Sequence, residues 1–483
     1  MNKVKNKGKS LEELLEEALI PVEEQPYEVP GNWVWVKLGN IVTIGPSKPK
    51  LNYLDNESTS FVSMSAVSPE KGEITAIEQR EFGKVKKGYT YFEEGDILFA
   101  KITPCMENGN TAIAQNLLND FGFGSTEFFV LRSSEQINRK FLYYLLRSEN
   151  FRKKAKSVMS GAVGQQRVPK SFLENYPFML PPLAEQERIA NKIESLFAKI
   201  DEAKQLIDEA KESFELRRAA ILDKAFRGEL TQDWHQKHAN LESDSQQKLN
   251  DIAPLQWKLV DIESIAKKEK YSMAIGPFGS NLKVTDYRSS GVPLVFVRNI
   301  RSFNYDLEQK FVSTEKAKTL LPHSIEPNDI LITKMGDPPG DADIYPAGLP
   351  KAIITSDCIK LKVDKELIIN EFALYAIQSP FFQKQVREKS KGVAQQKISL
   401  DSFKKMKIYL PPISEQLEVV KLLRNSFESM QQENDLLQQT SERMNALKQS
   451  ILQKAFRGEL DTNDPTEESA IELLKENLKK QLN

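Results

Sequence analysis

"ILDKAFRGEL" at 221–230 and "ILQKAFRGEL" at 451–460 agree at nine of ten positions and lie 230 residues apart. At the same offset "VGQQRV" (163–168) answers "VAQQKI" (393–398), and "LPPLAEQ" (180–186) answers "LPPISEQ" (410–416). No gap is needed across this shared stretch. Further upstream "PGNWVWVKLGNI" (30–41) loosely echoes "PLQWKLVDIESI" (254–265). A repeat of this length is a duplicated domain rather than a solenoid unit. The chain therefore reads as two tandem halves, each with a divergent front and a repeated back.

The repeated back reads as a long helix. The proline pairs at 181–182 and 411–412 stop what precedes, because proline lacks the N–H and restricts the residue before it. Ser414 is a candidate N-cap in the second copy. Apolar residues then recur at alternating spacings of four and three. The first helix gives Ile189, Ile193, Leu196, Ile200, Ala203, Ile207, Ala210, Phe214, Arg217, Ile221 and Lys224, nine of eleven apolar. That is a coiled-coil stripe. The second gives Val419, Leu423, Ser426, Met430, Glu433, Leu437, Thr440, Met444, Leu447, Ile451 and Lys454, with polar interruptions in its first half. Gly228 and Gly458 supply the stop. A helix of this kind is about 66 Å long, and its stripe must be covered. Two equivalent halves in tandem point to an antiparallel coiled coil with pseudo-twofold symmetry.

The fronts mix short β-type runs ("SFVSM", "GDILFAKI", "EFFVLR"; "VPLVFVRNI", "NDILITKM", "KAIITSDCIKLKV") with Gly, Pro and Asn turns, and each ends in a helical, basic stretch. The fold class is thus α/β (α+β), two mixed domains each followed by a long helix. The expected organisation is an N-terminal extension with a short amphipathic helix over 1–29 and a first domain over 30–183. A first repeat helix over 184–230 and a linker over 231–253 follow. Then come a second domain over 254–413, a second helix over 414–460 and an amphipathic tail over 461–483.

The net charge is −1 over 483 residues, which by itself argues against a nucleic-acid binder. The charge is nevertheless clustered. Residues 140–170 carry eight Lys/Arg against Glu149 alone, and residues 378–408 carry eight against Glu388 and Asp401. No run of 18 apolar residues exists, so no membrane partner is expected. Cys105 and Cys358 are too few for a disulfide framework or a four-cysteine zinc site, and a reducing cytoplasm is the simplest setting. There is no GxxxxGK[ST] phosphate loop. "DPPG" (337–340) lacks the aromatic of an amino-methyltransferase motif and reads as a turn. His235 and His238 lack the further ligands a metal needs. "GDILFAK" (95–101) holds an Asp and a Lys but no second paired acid. No catalytic residue and no metal site is expected on this chain.

In order, and twice, these segments resemble the specificity (S) subunit of Type I restriction–modification systems. The resemblance rests on "PGNWVWVKLG", "LPPLAEQERIANKIESLF", "LPPISEQ" and "KAFRGEL", with "GDILFAKITPCMENG" and "GPFGSNL" inside the fronts. It implies two target recognition domains, each reading one half of a split DNA sequence, and a coiled coil that fixes the gap between the halves. It also implies double-stranded DNA, two methylating subunits and motor–nuclease restriction subunits as partners. S-adenosylmethionine, ATP and Mg would then belong to those partners, with no cofactor on this chain. The amphipathic segments "SLEELLEEALI" and "ESAIELLKENL" depart from the pattern and are expected at one pole, since the family's chain ends lie close together.

Cationic side chains suit phosphates, and Asn, Gln and Arg suit base edges. The DNA-binding candidates from the basic stretches are Arg152, Lys153, Lys154, Lys156 and Arg167, and Lys384, Arg387, Lys389, Lys391 and Lys397. Gln165, Gln166, Gln395 and Gln396 sit in glycine-containing loops, where they reach DNA or brace the domain on its helix. Lys101, Asn108, Asn281 and Lys334 complete the base-reading candidates. Two identical partners need two identical docking surfaces. Phe226, Arg227, Phe456 and Arg457 of the AFRGEL copies are the subunit-binding candidates, the alternative being that the phenylalanines seal the helix ends. A coiled-coil adaptor that binds no DNA is the rival function; it leaves the twin basic stretches unexplained.

Overall fold

The computed structural model describes residues 10–162, 164–234, 257–392 and 396–482. His235, His238 and nearly all of the linker lie outside these residues. The chain forms two compact units: residues 1–207 with 439–483, and residues 208–438.

The two fronts build the same topology from different sequences. In the first unit an entry strand, Val34–Lys37, pairs antiparallel with an exit strand, Pro177–Leu180, with Val34 opposite Leu180. In the second, Lys258–Asp261 pairs with Lys407–Leu410, with Lys258 opposite Leu410. Each ribbon closes a domain with two sheets. In the first unit one sheet runs in the order Val42–Ile44, Phe128–Ser133, Ile97–Ala100, Thr111–Ile113. Its counterpart in the second is Met273–Ile275, Cys358–Leu361, Ile330–Thr333, Ala342–Ile344. The other sheet contains one parallel pair in each unit, Ser58–Val62 with Phe121–Gly124 and Val292–Val295 with Ala352–Ile354. Ile97–Ala100 and Ile330–Thr333 are buried at every residue. Burial on both faces is why these runs read as continuous apolar stretches rather than alternating ones.

The long helices run Leu183–Phe226 and Ile413–Ala455. Within each unit their segments lie side by side and antiparallel. In the first unit Lys448 pairs with Asp201 at 2.5 Å. In the second, Arg217 pairs with Glu433 at 2.9 Å and Lys211 donates to Gln438 at 2.8 Å. Ile189, Ile193, Ile200 and Ile207 are buried as the stripe requires, as are Val419, Leu423, Met430 and Ile451. Five stripe positions come out exposed: Lys224 and Lys454 at the helix ends, and Arg217, Glu433 and Leu447 within the seam. Arg217 and Glu433 are exposed and meet as an ion pair. Leu447 is half exposed, and Lys448 takes its place: its stem lies along Phe197, with Nζ 5.0 Å from the ring centroid. A long aliphatic stem can cover apolar surface while its charge stays in water. Ser414 is no N-cap, because the helix already begins at Ile413. The proline carbonyls take that role: Gln186 N–H donates to Pro182 O and Gln416 N–H to Pro412 O, both at 3.0 Å.

The Glu-Gln pair that ends each "LPPxxEQ" is buried completely, and its partners explain its repetition. Gln186 accepts from Asn138 N–H at 2.8 Å and donates to the carbonyls of Gln136 (3.2 Å) and Pro181 (3.0 Å). Gln416 makes the same three bonds to Ile369 N–H, Leu367 O and Pro411 O, at 2.8, 3.0 and 2.9 Å. The glutamate binds the segment that follows the other long helix. Glu185 accepts from Asn463 Nδ2 and Trp33 Nε1, both at 2.7 Å, and Glu415 accepts from Thr231 Oγ1 at 2.9 Å. One residue thus ties helix to domain, and its neighbour ties helix to helix. Replacing Gln416 with leucine leaves a buried N–H and two carbonyls without a partner. The expected loss is roughly 2–3 kcal/mol, since one such buried group costs about 1–3 kcal/mol. Denaturant unfolding measures it, and an unchanged midpoint would show that the clasp contributes nothing.

At the other end of each helix Gly228 (φ 74°) and Gly458 (φ 75°) adopt the left-handed stop. Just before it Phe226 packs on Phe372, and Phe456 on Phe141, with ring centroids 5.2 and 5.4 Å apart. The capping-box helix Leu11–Ala18 and the C-terminal helix Ala470–Leu482 both belong to the first unit. Leu14 and Ala18 share a core with Ala470, Leu474 and Leu478, so the described ends of the chain meet.

Candidate nucleic-acid interface

One end of the four-stranded sheet gathers most of the reading candidates in each unit. The strand Ile97–Ala100 runs out into Lys101, and Ile330–Thr333 into Lys334. The segment with the glutamine pair then zips onto the following residues. In the first unit Val168 N–H donates to Lys101 O (2.9 Å), Thr103 N–H donates to Gln166 O (3.0 Å), and Ile102 bridges Arg167. In the second, Ile398 N–H donates to Lys334 O (3.0 Å), while Met335 pairs with Lys397 and Gly336 with Gln396. Lys391 bridges Lys397. The backbones of this segment do the bracing, which leaves the Gln165 and Lys397 side chains exposed and those of Gln166 and Gln396 partly so. Gln395 lies outside the described residues.

A third element reaches the same end. The edge strands Val42–Ile44 and Met273–Ile275 lead into "IGPSKPKL" (44–51) and "IGPFGSNL" (275–282). Gly45 N–H donates to Val130 O (2.7 Å) and Gly276 N–H to Cys358 O (3.2 Å), which ties both loops to the strand next to the one that ends in lysine; Ile275 lies level with Ile332, two residues before Lys334, and Ile44 level with Ile97, four before Lys101. A Cβ on Gly276 would lie 2.0 Å from Thr355 O, so only glycine fits. Asn281 is exposed on this loop, and Asn108 is exposed on the single turn Cys105–Asn108 after Lys101. Lys48, Lys50 and Phe278 stand on these loops and were not among the sequence candidates. The shared Ile-Gly-Pro, 231 residues apart, is the signal that marks them.

The site is cationic but tempered. Arg167 is held by Glu127 in a two-pronged pair, Nε–Oε2 3.0 Å and Nη2–Oε1 2.8 Å, and Arg167 in turn keeps the Glu127 carboxyl below its ordinary pKa. Lys101 Nζ lies 5.2 Å from the Phe129 centroid and Lys334 Nζ 4.9 Å from that of Phe278.

The basic helices divide differently from their sequence reading. Arg152 is spent on the protein: Nη1 donates to Glu107 O at 2.5 Å and Nε to Arg147 O at 3.3 Å, and burial lowers its pKa. Lys154 is half buried beside Tyr176 and shifted down by burial. Lys156 is paired with Glu107. Lys389 donates to Lys405 O at 3.4 Å. Arg387 is exposed on the helix Pro380–Lys389. Lys153 and Lys384 stand away from the sheet end and line a groove at the tail of a long helix instead. In the first unit Lys153 shares it with Tyr27, Gln449, Gln453, Phe456 and Arg457. In the second, Lys384 shares it with Asp223, Phe226, Arg227, Phe381 and Tyr409. The duplication therefore produces two equivalent grooves. Phe226 and Phe456 are only 4% exposed and form the floor of these grooves while sealing the helix ends. Arg227 and Arg457 are exposed at the groove, the first paired with Asp223 (2.8 Å), the second 5.3 Å from the Tyr27 ring centroid.

Asp96 of "GDILFAK" is structural. It is 2% exposed, accepts from Glu93 N–H at 2.8 Å and holds Arg132 through both carboxylate oxygens at 2.8 and 2.7 Å. Its counterpart Asp329 accepts from Glu326 N–H at 2.9 Å, and burial pushes its pKa up to about 6. A carboxyl whose folded pKa is raised costs stability while ionised. That cost is full above pH 6, shrinks as pH falls towards the ordinary value near 3.8, and is gone below it. Asp329→Asn keeps the acceptor and removes the charge. It is expected to gain on the order of 2 kcal/mol at pH 7 and nothing at pH 4, read from denaturation curves at both pH values. Equal effects at both would mean that Asp329 titrates normally.

Among the described residues no cluster of three or more His, Cys, Asp or Glu could hold a metal, and no helix is long and apolar enough to cross a membrane. Both cysteines are free.

Comparison with known proteins agrees with this architecture. Residues 30–212 and 304–440 match the Type I restriction modification DNA specificity domain. The EcoAI specificity subunit of Escherichia coli is 39% identical over 221 residues, 44% of this chain and 37% of that protein, so the match spans under two fifths of the relative's length. The EcoKI specificity subunit of Escherichia coli K12 is 25% identical over 457 residues, 90% of each chain. Two solved structures share the fold. One is the HsdS subunit of Thermoanaerobacter tengcongensis, with a TM-score of 0.54, 22% identity, and coverage of 91% of this chain and 100% of that one. The other comes from a study of assembly and conformational transition in a type I R-M system, with a TM-score of 0.63, 21% identity, and coverage of 90% and 100%. With the family domain matched in both halves and the duplicated architecture shared with these structures, the chain belongs to the Type I restriction–modification DNA specificity family.

Proposed function

We propose that this chain is the sequence-reading subunit of a Type I restriction–modification complex and carries no catalysis of its own. Each unit reads one part of a split double-stranded DNA target, and the paired long helices set the unread gap. The observation that carries this reading is the duplicated sheet end: one backbone arrangement, built twice, bearing different side chains. Two heads with a common frame and different surfaces suit two different half-sites. Phosphate contacts fall to Lys101, Lys334, Lys391 and Lys397, with Lys50 added, and base contacts to the glutamines and to Asn108 and Asn281.

The twin grooves beside Arg457 and Arg227 favour two copies of one methylating subunit as partners. S-adenosylmethionine would be bound there, and ATP and Mg by restriction subunits. The cytoplasm, where the chromosome lies, is the setting this reading requires.

The test uses the purified chain with and without a methylating subunit. Alone, it is expected to transfer no methyl group from S-adenosylmethionine. Together, the two should methylate adenine at a split sequence, found by mapping methylated sites in DNA. Binding to that duplex should weaken steeply with salt, as phosphate contacts demand. Methyl transfer by the clean chain alone, or an assembly indifferent to sequence and salt, would overturn the proposal. The second outcome would leave the rival adaptor.

A further inference from the structure

The two Ile-Gly-Pro loops leave the same sheet edge, two residues apart in register, and carry opposite chemistry. Each starts at the same sheet edge and returns to an apolar core through Leu51 or Leu282. Between these anchors the first head presents Ser47, Pro49 and Lys50, while Lys48 Nζ turns back to donate to Lys86 O at 2.7 Å. The second presents Phe278, Gly279, Ser280 and Asn281, without a charge. Phe278 is 59% exposed. A large ring left mostly in water forgoes most of the free energy of burial. Yet it is held in place. Its carbonyl accepts from Asn281 N–H at 2.9 Å, and the backbone at Gly276 is pressed against Thr355. Lys334 Nζ lies 4.9 Å from the ring centroid and also donates to Ser356 O at 3.3 Å. One face of the ring is thereby covered by a cation and the other is open. Lys334 connects the ring to Gln396 and Lys397 on the neighbouring segment.

An ordered aromatic beside two lysines and a glutamine suits one kind of ligand, a flat base next to its phosphate. Phenylalanine has few rotamers to lose on binding. Apolar side chains of this kind enter base steps and partly unstack them. Resting on the DNA-reading function above, we propose that Phe278 is a base-contacting wedge particular to the second head. Its open face lies against a base step of the second half-site, while Lys334 and Lys397 hold the adjoining phosphates. The first head, with Lys50 on the corresponding loop, engages the backbone instead. The two heads would therefore differ in kind: one contact that salt leaves unchanged, and one that salt weakens.

The test uses the full chain assembled with its methylating subunit on its mapped duplex, with 2-aminopurine placed in turn through the second half-site. The wild-type complex is expected to raise 2-aminopurine fluorescence at one step besides the adenine that the methylating subunit extrudes. Phe278→Ala should lose that rise and bind roughly 5- to 150-fold more weakly, the range seen for removing a base–aromatic contact. The slope of log affinity against log salt should stay the same, because no counterion is released by a phenyl ring. Phe278→Trp should restore binding. Lys50→Ala should instead flatten that slope by up to about one. Phe278 is exposed, and an unchanged melting temperature verifies that its variants fold. Wild-type affinity in Phe278→Ala, or a loss of affinity with a flattened slope, would overturn the wedge while leaving the reading function standing. A wild-type assembly that binds no defined duplex would overturn both.

Discussion

Arg132→Ala is expected to destabilise the first unit by about 3–5 kcal/mol, the cost of stripping the partner from a buried charge. Asp96 is the charge left behind. It sits at the mouth of the all-buried strand Ile97–Ala100, and Arg132 holds both of its oxygens from the neighbouring strand. Arg132 also reaches Glu93 at 2.8 Å, which in turn accepts from Tyr91 Oη at 2.9 Å. The ionised pair keeps the Arg132 pKa well above its ordinary value, the hydrogen bond to Asp96 being the main cause. Alanine removes the whole guanidinium, and because Arg132 is itself 32% exposed, water entering its place sets the lower end of that range. The joint variant Asp96→Leu, Arg132→Met removes both charges together and should recover most of the loss, since a buried pair can be exchanged for apolar groups at little net cost. Denaturant unfolding of the three variants decides it. A loss under about 1 kcal/mol in Arg132→Ala would mean that Asp96 is solvated after all.

Lengthening both long helices by one heptad is expected to widen the unread gap of the DNA target by about three base pairs. Seven residues restore the phase of the seam and add about 10 Å of helix, and duplex DNA rises about 3.4 Å per pair. The internal repeat would match an insertion after Ala203 with one after Glu433. Those residues do not face each other, because Glu433 meets Arg217 and Asp201 meets Lys448. Lys211 meets Gln438, so insertions after Glu209 and after Gln439 are both repeat-equivalent and opposed. Three added base pairs also rotate one half-site by about 100° about the duplex axis, so the variant should methylate more slowly than the parent. One insertion alone should break the pairing and weaken assembly. Mapping methylated sites in cells carrying the double insertion reads out the gap. An active variant with an unchanged gap would mean that the helices are not the ruler.

Most of the frame was legible in the chain itself. The 230-residue repeat, the long helices with their stripe, the proline starts, the glycine stops and the all-apolar strands follow from local periodicity and backbone chemistry. These act over a few residues and need no knowledge of what lies opposite. The family resemblance rested on the same segments. What stayed hidden depends on partners distant in sequence. That Lys448 rather than Leu447 enters the seam is settled by Phe197 and Asp201, more than 240 residues away. That Arg152 is spent on Glu107 O, while Lys153 turns to a groove, depends on how one helix is rotated against its domain. That Phe226 and Phe456 are buried at the floor of a groove depends on Phe372 and Phe141, far away in the sequence. The shared Ile-Gly-Pro was present in the sequence, but its meaning was not. A loop becomes part of a site only when the sheet register carries it beside Lys334 and Gln396, and register is a property of paired strands, which no single strand carries.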